Sequence, residues 1–345
     1  MANYDTSDSK DGVIREEQIY SWLSANKAQC RYEEEPFKFV QKMKDNVDIY
    51  VKCRQPENNQ NGNVHLKNVP LLAGKSYKLH LMLMLAAANM NTEAQEQFKK
   101  ILESVVYYTV IDKVTTNITE RTFVLWCSKI RKILSLEDLY AFVNDTIIPT
   151  VNEWKQDNEV NFLRLGLNSM QQYRIKFILG KITAYVDALR LGKTTVEELE
   201  QYTQTAVEIE HIMPQNCPNK NEYEISDEEF EVYINRLGNL TLLENTINKS
   251  IQNDSYKIKA QAYKQSKFYI TSAISELVNQ GQNTAITRTN EILSSWDNWT
   301  RAAIEEGIVE GGGIAYIIIQ KELKEYIINM DEEEKNGANI VLNAL

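Results

Sequence analysis

Apolar residues recur at helical spacing along most of the chain, and the exceptions cluster in one stretch. Ile14, Ile19, Trp22 and Leu23, then Phe37, Val40, Met43 and Val47, predict two amphipathic helices over 13–52. Residues 53–69 hold Pro56, Asn58, Asn59, Asn61, Gly62 and Asn63 and read as a loop. Helical periodicity resumes near 76–89, 92–111, 117–133, 136–147 and 168–191. In the last of these, Tyr173, Phe177, Ile178, Ile182, Tyr185 and Val186 form one stripe, and Gly192 stands where a C-terminal cap is expected. Residues 1–195 therefore read as one all-helical domain.

The period changes after Thr195. A short helix over 196–202 leads into a β-prone run, 206–212, and then a polar loop with Pro214, Asn216 and Pro218. Ser226 with Glu229 three positions on has the capping-box order, and the helix it opens is expected to run to Leu237 and stop at Gly238. Residues 241–243 are short and β-capable, and helices are expected over 244–251, 255–279 and 283–305. Gly311, Gly312 and Gly313 break the pattern before a last helix, 314–330, and a weakly patterned tail. The expected fold is mostly α, with one short β-hairpin embedded in helices. The expected domains are 1–195, 196–308, and a linker and tail over 309–345.

Composition narrows this picture. Only 13 glycines and 6 prolines in 345 residues argue against a turn-rich β-sandwich. No apolar run approaches the roughly 20 residues of a membrane span, and residues 1–12 lack the basic-then-apolar order of a signal peptide. A cytoplasmic location without membrane contact is the expectation. Cys30, Cys53, Cys127 and Cys217 form no CxxC pair, so buried thiols are expected rather than structural zinc or disulfides. The net charge of −10 opposes binding to nucleic acid when taken over the whole chain. Its distribution is uneven. Glu222, Glu224, Asp227, Glu228, Glu229 and Glu231 form an acidic cluster, whereas Lys249, Lys257, Lys259, Lys264 and Lys267 face only Asp254 in their stretch.

The chemistry-bearing pattern is Glu210-His211-Ile212-Met213-Pro214, then Gly238-Asn239-Leu240-Thr241-Leu242-Leu243, then Asn248. A strand ending in an acid and a histidine, a return strand, and a helix carrying an amide can converge on one ion. A hard cation such as magnesium takes oxygen ligands and keeps several waters. Glu210 and the side-chain carbonyl of Asn248 suit it. His211, beside the ion, suits a general base that takes a proton from the attacking water. The lysine run that follows is expected to border a DNA-binding face. His65 and His80 read as structural residues.

These residues resemble the HNH nucleases, which show an acid-His-hydrophobic-x-Pro run, an Asn-Leu-x-x-Leu run, and His or Asn nine positions after that central Asn. Here Asn248 stands nine positions after Asn239. The chain is similar to the C-terminal nuclease domain of GmrSD-type restriction endonucleases over about 15–305. The most specific marks are Ile209 to Gln215 and Leu237 to Glu244, with Asn253, Lys259, Tyr263, Ser266, Arg288, Thr289 and Trp296 following in order. The resemblance implies an HNH-like ββα-metal domain that cuts DNA, with His211 as general base and Asn239 bracing the hairpin. It implies one divalent ion, Mg2+ or Mn2+, held by Glu210 and Asn248, with Asn245 or Asn253 as alternatives to Asn248. It also implies restriction of foreign, often modified, DNA, and an upstream nucleotide-handling domain or subunit as partner. The sequence departs from the pattern in two respects: Glu210 stands where many HNH proteins have Asp, and the zinc-binding cysteines are missing. The alternative reading is a non-cleaving DNA-binding or regulatory subunit on the same fold, dependent on a missing partner domain.

Overall fold

The computed structural model describes residues 4, 14–54, 62–154, 164–190, 199–216 and 226–277. Within them the chain is mostly helical, with one two-stranded antiparallel sheet. Where two helices were expected over 13–52 there are three: α1 (Ile19–Ala25), α2 (Lys27–Cys30) and α3 (Pro36–Arg54). The chain turns between α2 and α3 through Arg31 in the left-handed region, φ 51°, and Pro36, with its fixed φ and no N–H to waste, opens α3. The stripe of Phe37, Val40, Met43 and Val47 lies on α3 but is 89%, 62%, 55% and 57% exposed. Its period identified the helix without identifying a covering surface.

The loop expected over 53–69 is corrected at both ends. Cys53 and Arg54 finish α3, and α4 (Val64–Ala73) begins five residues before the expected end. Asn63 is the reason: its side chain accepts hydrogen bonds from the backbone N–H groups of His65 and Leu66, so a residue that looked loop-forming is a helix cap. α5 (Leu79–Ala86), α6 (Thr92–Ile111), α7 (Thr116–Ile130) and α8 (Leu136–Phe142) follow. The helix expected to end at 147 instead passes through a π turn, Val143–Ile147, into α9 (Ile148–Trp154). α10 spans Gln172–Arg190, starting four residues later than expected. The Gly192 cap lies outside the described residues, as do Cys217, Pro218, Glu222, Glu224, the helices expected over 283–305 and 314–330, and the glycine break between them.

One continuous apolar core runs from Cys53 to Phe268 and joins α6 and α10 to the residues around the sheet. It therefore includes residues on both sides of position 195. Cys30, Cys53 and Cys127 are buried free thiols. One ionic cluster is buried in the helical part. Glu103 accepts from Lys181 Nζ at 2.5 Å, from Asn68 Nδ2 at 3.0 Å, and meets His65 Nδ1 at 2.6 Å. Burial pushes the Glu103 carboxyl up, but Lys181 and His65 outweigh it and hold the group below the usual range. The cluster ties α4, α6 and α10 together.

The remaining elements surround the sheet: α11 (Glu200–Thr203), β1 (Val207–His211), α12 (Asp227–Tyr233), a 3-10 turn at Leu237–Asn239, β2 (Leu240–Glu244), α13 (Asn245–Ile251), α14 (Tyr256–Tyr263) and α15 (Tyr269–Leu277). β1 pairs antiparallel with β2, Val207 opposite Glu244 and His211 opposite Leu240. The capping box at Ser226 and Glu229 forms, yet α12 ends at Tyr233 rather than Leu237. The chain after it turns and then makes an isolated antiparallel bridge, Arg236 with Gly166. The single helix expected over 255–279 is two. Glu244 breaks it, accepting from Ser266 Oγ and from the Lys267 backbone N–H, both at 2.9 Å. That turn lets α15 fold back over β2, whose Leu240 to Leu243 are all buried.

Candidate active site

Strand alternation determines what β1 presents. Val207 and Ile209 face the core shared with α10. Glu208 and Glu210, on the other face, point at α13 and α14. Glu208 Oε2 accepts from Asn248 Nδ2 at 2.7 Å. Glu210 Oε1 accepts from Lys259 Nζ at 2.6 Å and from Tyr263 Oη at 2.9 Å, and Lys259 Nζ also donates to the His211 carbonyl at 2.8 Å. Lys259 and Tyr263 are four apart on α14, one turn of one face, so a single helix supplies both donors.

His211 is the last residue of β1. Its Nε2 lies 3.3 Å from Asn235 Oδ1. Asn239 secures the turn that follows: its Oδ1 accepts from Met213 N at 2.8 Å, and its Nδ2 donates to the carbonyls of Met213 and Ile234 at 3.2 and 2.8 Å. Its own carbonyl accepts from Ile212 N at 2.9 Å. Asn239 is 1% exposed, so every polar atom of the side chain is used where water is absent.

Glu208, Glu210, His211, Asn248, Lys249 and Asn253 line one cleft of about 310 Å³, together with Lys259 of α14 and neighbours from β1 and the loops after β1 and α13. The structure thus brings together Glu210, His211 and Asn248, with Asn253 beside them, while Asn245 is not among the lining residues. Glu208 was not anticipated. Its signal was present in the alternation of Val207-Glu208-Ile209-Glu210, which puts both carboxylates on one face. Asn235 was also missed, because it lies outside either motif run and reaches His211 only through the folded chain. Lys259, grouped by sequence with the surface lysines, is 1% exposed, is committed to Glu210 and His211, and lines the same cleft from within. Lys249, Lys257, Lys264 and Lys267 are exposed. Of the acidic cluster, Asp227, Glu228, Glu229 and Glu231 are solvated on α12, and Glu229 serves the cap.

The electrostatics follow from burial. Burial pushes the Glu210 carboxyl above the usual carboxylate range, against the opposing pull of Lys259 and of the Lys259 and Tyr263 hydrogen bonds. Burial likewise lowers the His211 ring below the ordinary histidine value, and the Lys259 charge adds to it, while the Asn235 contact works the other way. Burial and the Lys259 charge both favour the neutral ring, which has a lone pair to offer. Among the described residues no group of three or more His, Cys, Asp or Glu side chains is arranged to hold a metal ion. The donors in the cleft are instead two carboxylates and amide oxygens. That set fits a hard cation that keeps most of its water, and it does not fit a dehydrated, protein-caged ion. No helix among the described residues is long and apolar enough to cross a membrane. Residues 155–307 match the model of a family described as GmrSD restriction endonucleases, C-terminal domain.

Proposed function

We propose that the chain, whose residues 155–307 match the model of the GmrSD restriction endonuclease C-terminal domain, hydrolyses DNA phosphodiester bonds by an HNH-type, metal-assisted reaction in the cleft at the end of β1. The observation that carries this reading is the common cleft of Glu210, His211 and Asn248, a carboxylate, an imidazole and an amide brought together from β1 and α13. Glu210 and Asn248 would hold one Mg2+ or Mn2+ ion, with Glu208 positioning Asn248 through their 2.7 Å hydrogen bond. When bound, that ion would stabilise charge on the scissile phosphate and on the leaving oxygen.

The chain's own residues account for the rest. His211 takes a proton from the attacking water, and its lowered basicity keeps the ring unprotonated for that purpose. Lys259 and Tyr263 hold the Glu210 carboxylate by one oxygen, which fixes its direction. Asn239 fixes the turn after His211. Lys249, Lys257, Lys264 and Lys267 give exposed positive charge for phosphate contact that carries no sequence information. A restriction role against foreign DNA, and an upstream nucleotide-handling partner, accord with the family and belong to the same proposal.

The test is nicking of supercoiled plasmid by the purified chain with Mg2+ or Mn2+, repeated with His211→Ala. Cleavage by the first protein and none by a folded His211→Ala protein is the expected result. Equal cleavage by both removes His211 from the chemistry. Failure of the unsubstituted chain with either ion favours the non-cleaving or partner-dependent subunit. Isothermal titration with Mn2+ separates ion binding from turnover, with Glu210→Ala expected to weaken binding and His211→Ala to leave it intact.

A further inference from the structure

The contact between His211 Nε2 and Asn235 Oδ1, 3.3 Å, decides more than the direction of the ring. A neutral imidazole carries one proton on one of two nitrogens, and the hydrogen bond made by one nitrogen sets the state of the other. An oxygen acceptor facing Nε2 stabilises a proton there, because a bare Nε2 would set lone pair against lone pair. Nδ1 is then left with a free lone pair. We propose that Asn235 sets the tautomer of His211, accepting from Nε2–H, so that Nδ1 is the nitrogen that acts as base in the hydrolysis proposed above, on which this inference rests. In that step water gives a proton to Nδ1 as its oxygen bonds to phosphorus. The ester P–O bond breaks with its electron pair on the leaving oxygen, which takes a proton from solvent.

Asn235 is built for such a role by the way its backbone is held. It lies in the turn just beyond α12, one residue before the bridge between Arg236 and Gly166. Its carbonyl accepts from Leu167 N at 2.9 Å, and Leu237 N donates to Leu165 O at 2.8 Å, so the short antiparallel bridge of Arg236 with Gly166 holds the backbone of Asn235 on its C-terminal side. Gly166 makes the approach possible: a Cβ there would lie 2.1 Å from the Asn235 carbonyl oxygen, a distance no side chain tolerates. From the other side, Asn239 Nδ2 holds the carbonyl of Ile234. A segment more than forty residues upstream of His211 thereby fixes the amide that orients it. Asn235 touches neither water nor phosphate in this scheme, so it is a positioning residue.

The chain has three histidines, so histidine-selective 15N labelling gives a long-range 1H–15N spectrum that His65 and His80 substitutions assign. The metal-free unsubstituted chain, above the pH at which the ring titrates, is expected to show His211 protonated on Nε2. Asn235→Leu keeps the approximate shape and removes the acceptor. It is expected to lose the single tautomer, leave the His65 and His80 signals in place, and slow cleavage by up to the roughly 10²–10⁴-fold that a general base supplies, with KM little changed. Asn235→Asp keeps an acceptor oxygen and is expected to retain the Nε2–H tautomer and most of the rate. A proton on Nδ1 in the unsubstituted chain overturns the inference, as does an unchanged tautomer in Asn235→Leu. If the chain cleaves no DNA, the nuclease reading fails by itself and the spectra still decide whether Asn235 sets the tautomer.

Discussion

Lys259→Met gives the sharpest energetic test of the site. Lys259 and Glu210 are 1% and 5% exposed, with 2.6 Å between Nζ and Oε1. Methionine fills nearly the same volume, so the substitution leaves the packing and removes the charge. What remains is a carboxylate in a dry environment, and breaking a buried pair from one side typically costs about 3–5 kcal/mol. The His211 carbonyl also loses its donor, a further loss of roughly 1 kcal/mol if nothing replaces it. Glu210→Gln in the Lys259→Met background removes the stranded charge, so the double variant is expected to be more stable than Lys259→Met alone, with a coupling energy of at least about 2 kcal/mol in the cycle. Urea titrations followed by far-UV circular dichroism, with equal slopes across the four proteins, measure these differences. Acid is expected to narrow the gap, because a protonated Glu210 needs no partner and its carboxyl is already raised by burial. A Lys259→Met cost below about 1 kcal/mol, or strict additivity in the cycle, would refute the argument that the pair is buried and mutually dependent.

Asn239→Ala strands the Met213 N–H and the Met213 and Ile234 carbonyls; at about 1–3 kcal/mol for each buried group left unpaired, a loss of several kcal/mol in denaturant titration is expected, with cleavage abolished alongside. His80 is buried and its Nδ1 has no partner, and burial lowers its pKa to about 4. The unfolded chain therefore binds a proton that the folded one refuses. The stabilisation is complete above pH 6.5 and falls by up to about 3 kcal/mol as the pH drops from 6.5 toward 4, so His80→Leu should flatten that part of the acid limb in pH-dependent denaturation. Replacing Lys249, Lys257, Lys264 and Lys267 by Gln is expected to weaken DNA binding and to reduce the slope of log K against log salt by about 0.9 for each phosphate that is no longer neutralised; an unchanged slope would place the DNA elsewhere.

Local chemistry was legible in the sequence because local interactions produce it. Ser226 and Glu229 cap one another within four residues, so their helix start could be read directly. The alternation around Val207 to His211 and the apolar run at Leu240 to Leu243 marked the two strands, since a half-buried and a buried strand differ in period. The convergence of Glu210, His211 and Asn248 followed from element order and motif spacing. Periodicity could not say which faces find partners. Phe37, Val40, Met43 and Val47 have the same helical spacing as a core stripe and yet face solvent, because burial depends on what packs opposite. Lys257 and Lys259 stand two apart in one basic run, and one is exposed while the other lies inside against Glu210. A helix rotates by about 100° per residue, so two positions separate the outer face from the inner one, and only the docking of α14 on β1 chose between them. The break between α14 and α15 has the same origin, since Glu244 on β2 supplies the acceptors that turn the chain. Asn235 depends on the tertiary structure entirely: its contact with His211 exists because Gly166, distant in sequence, lets two backbones approach to a distance at which only a missing side chain fits.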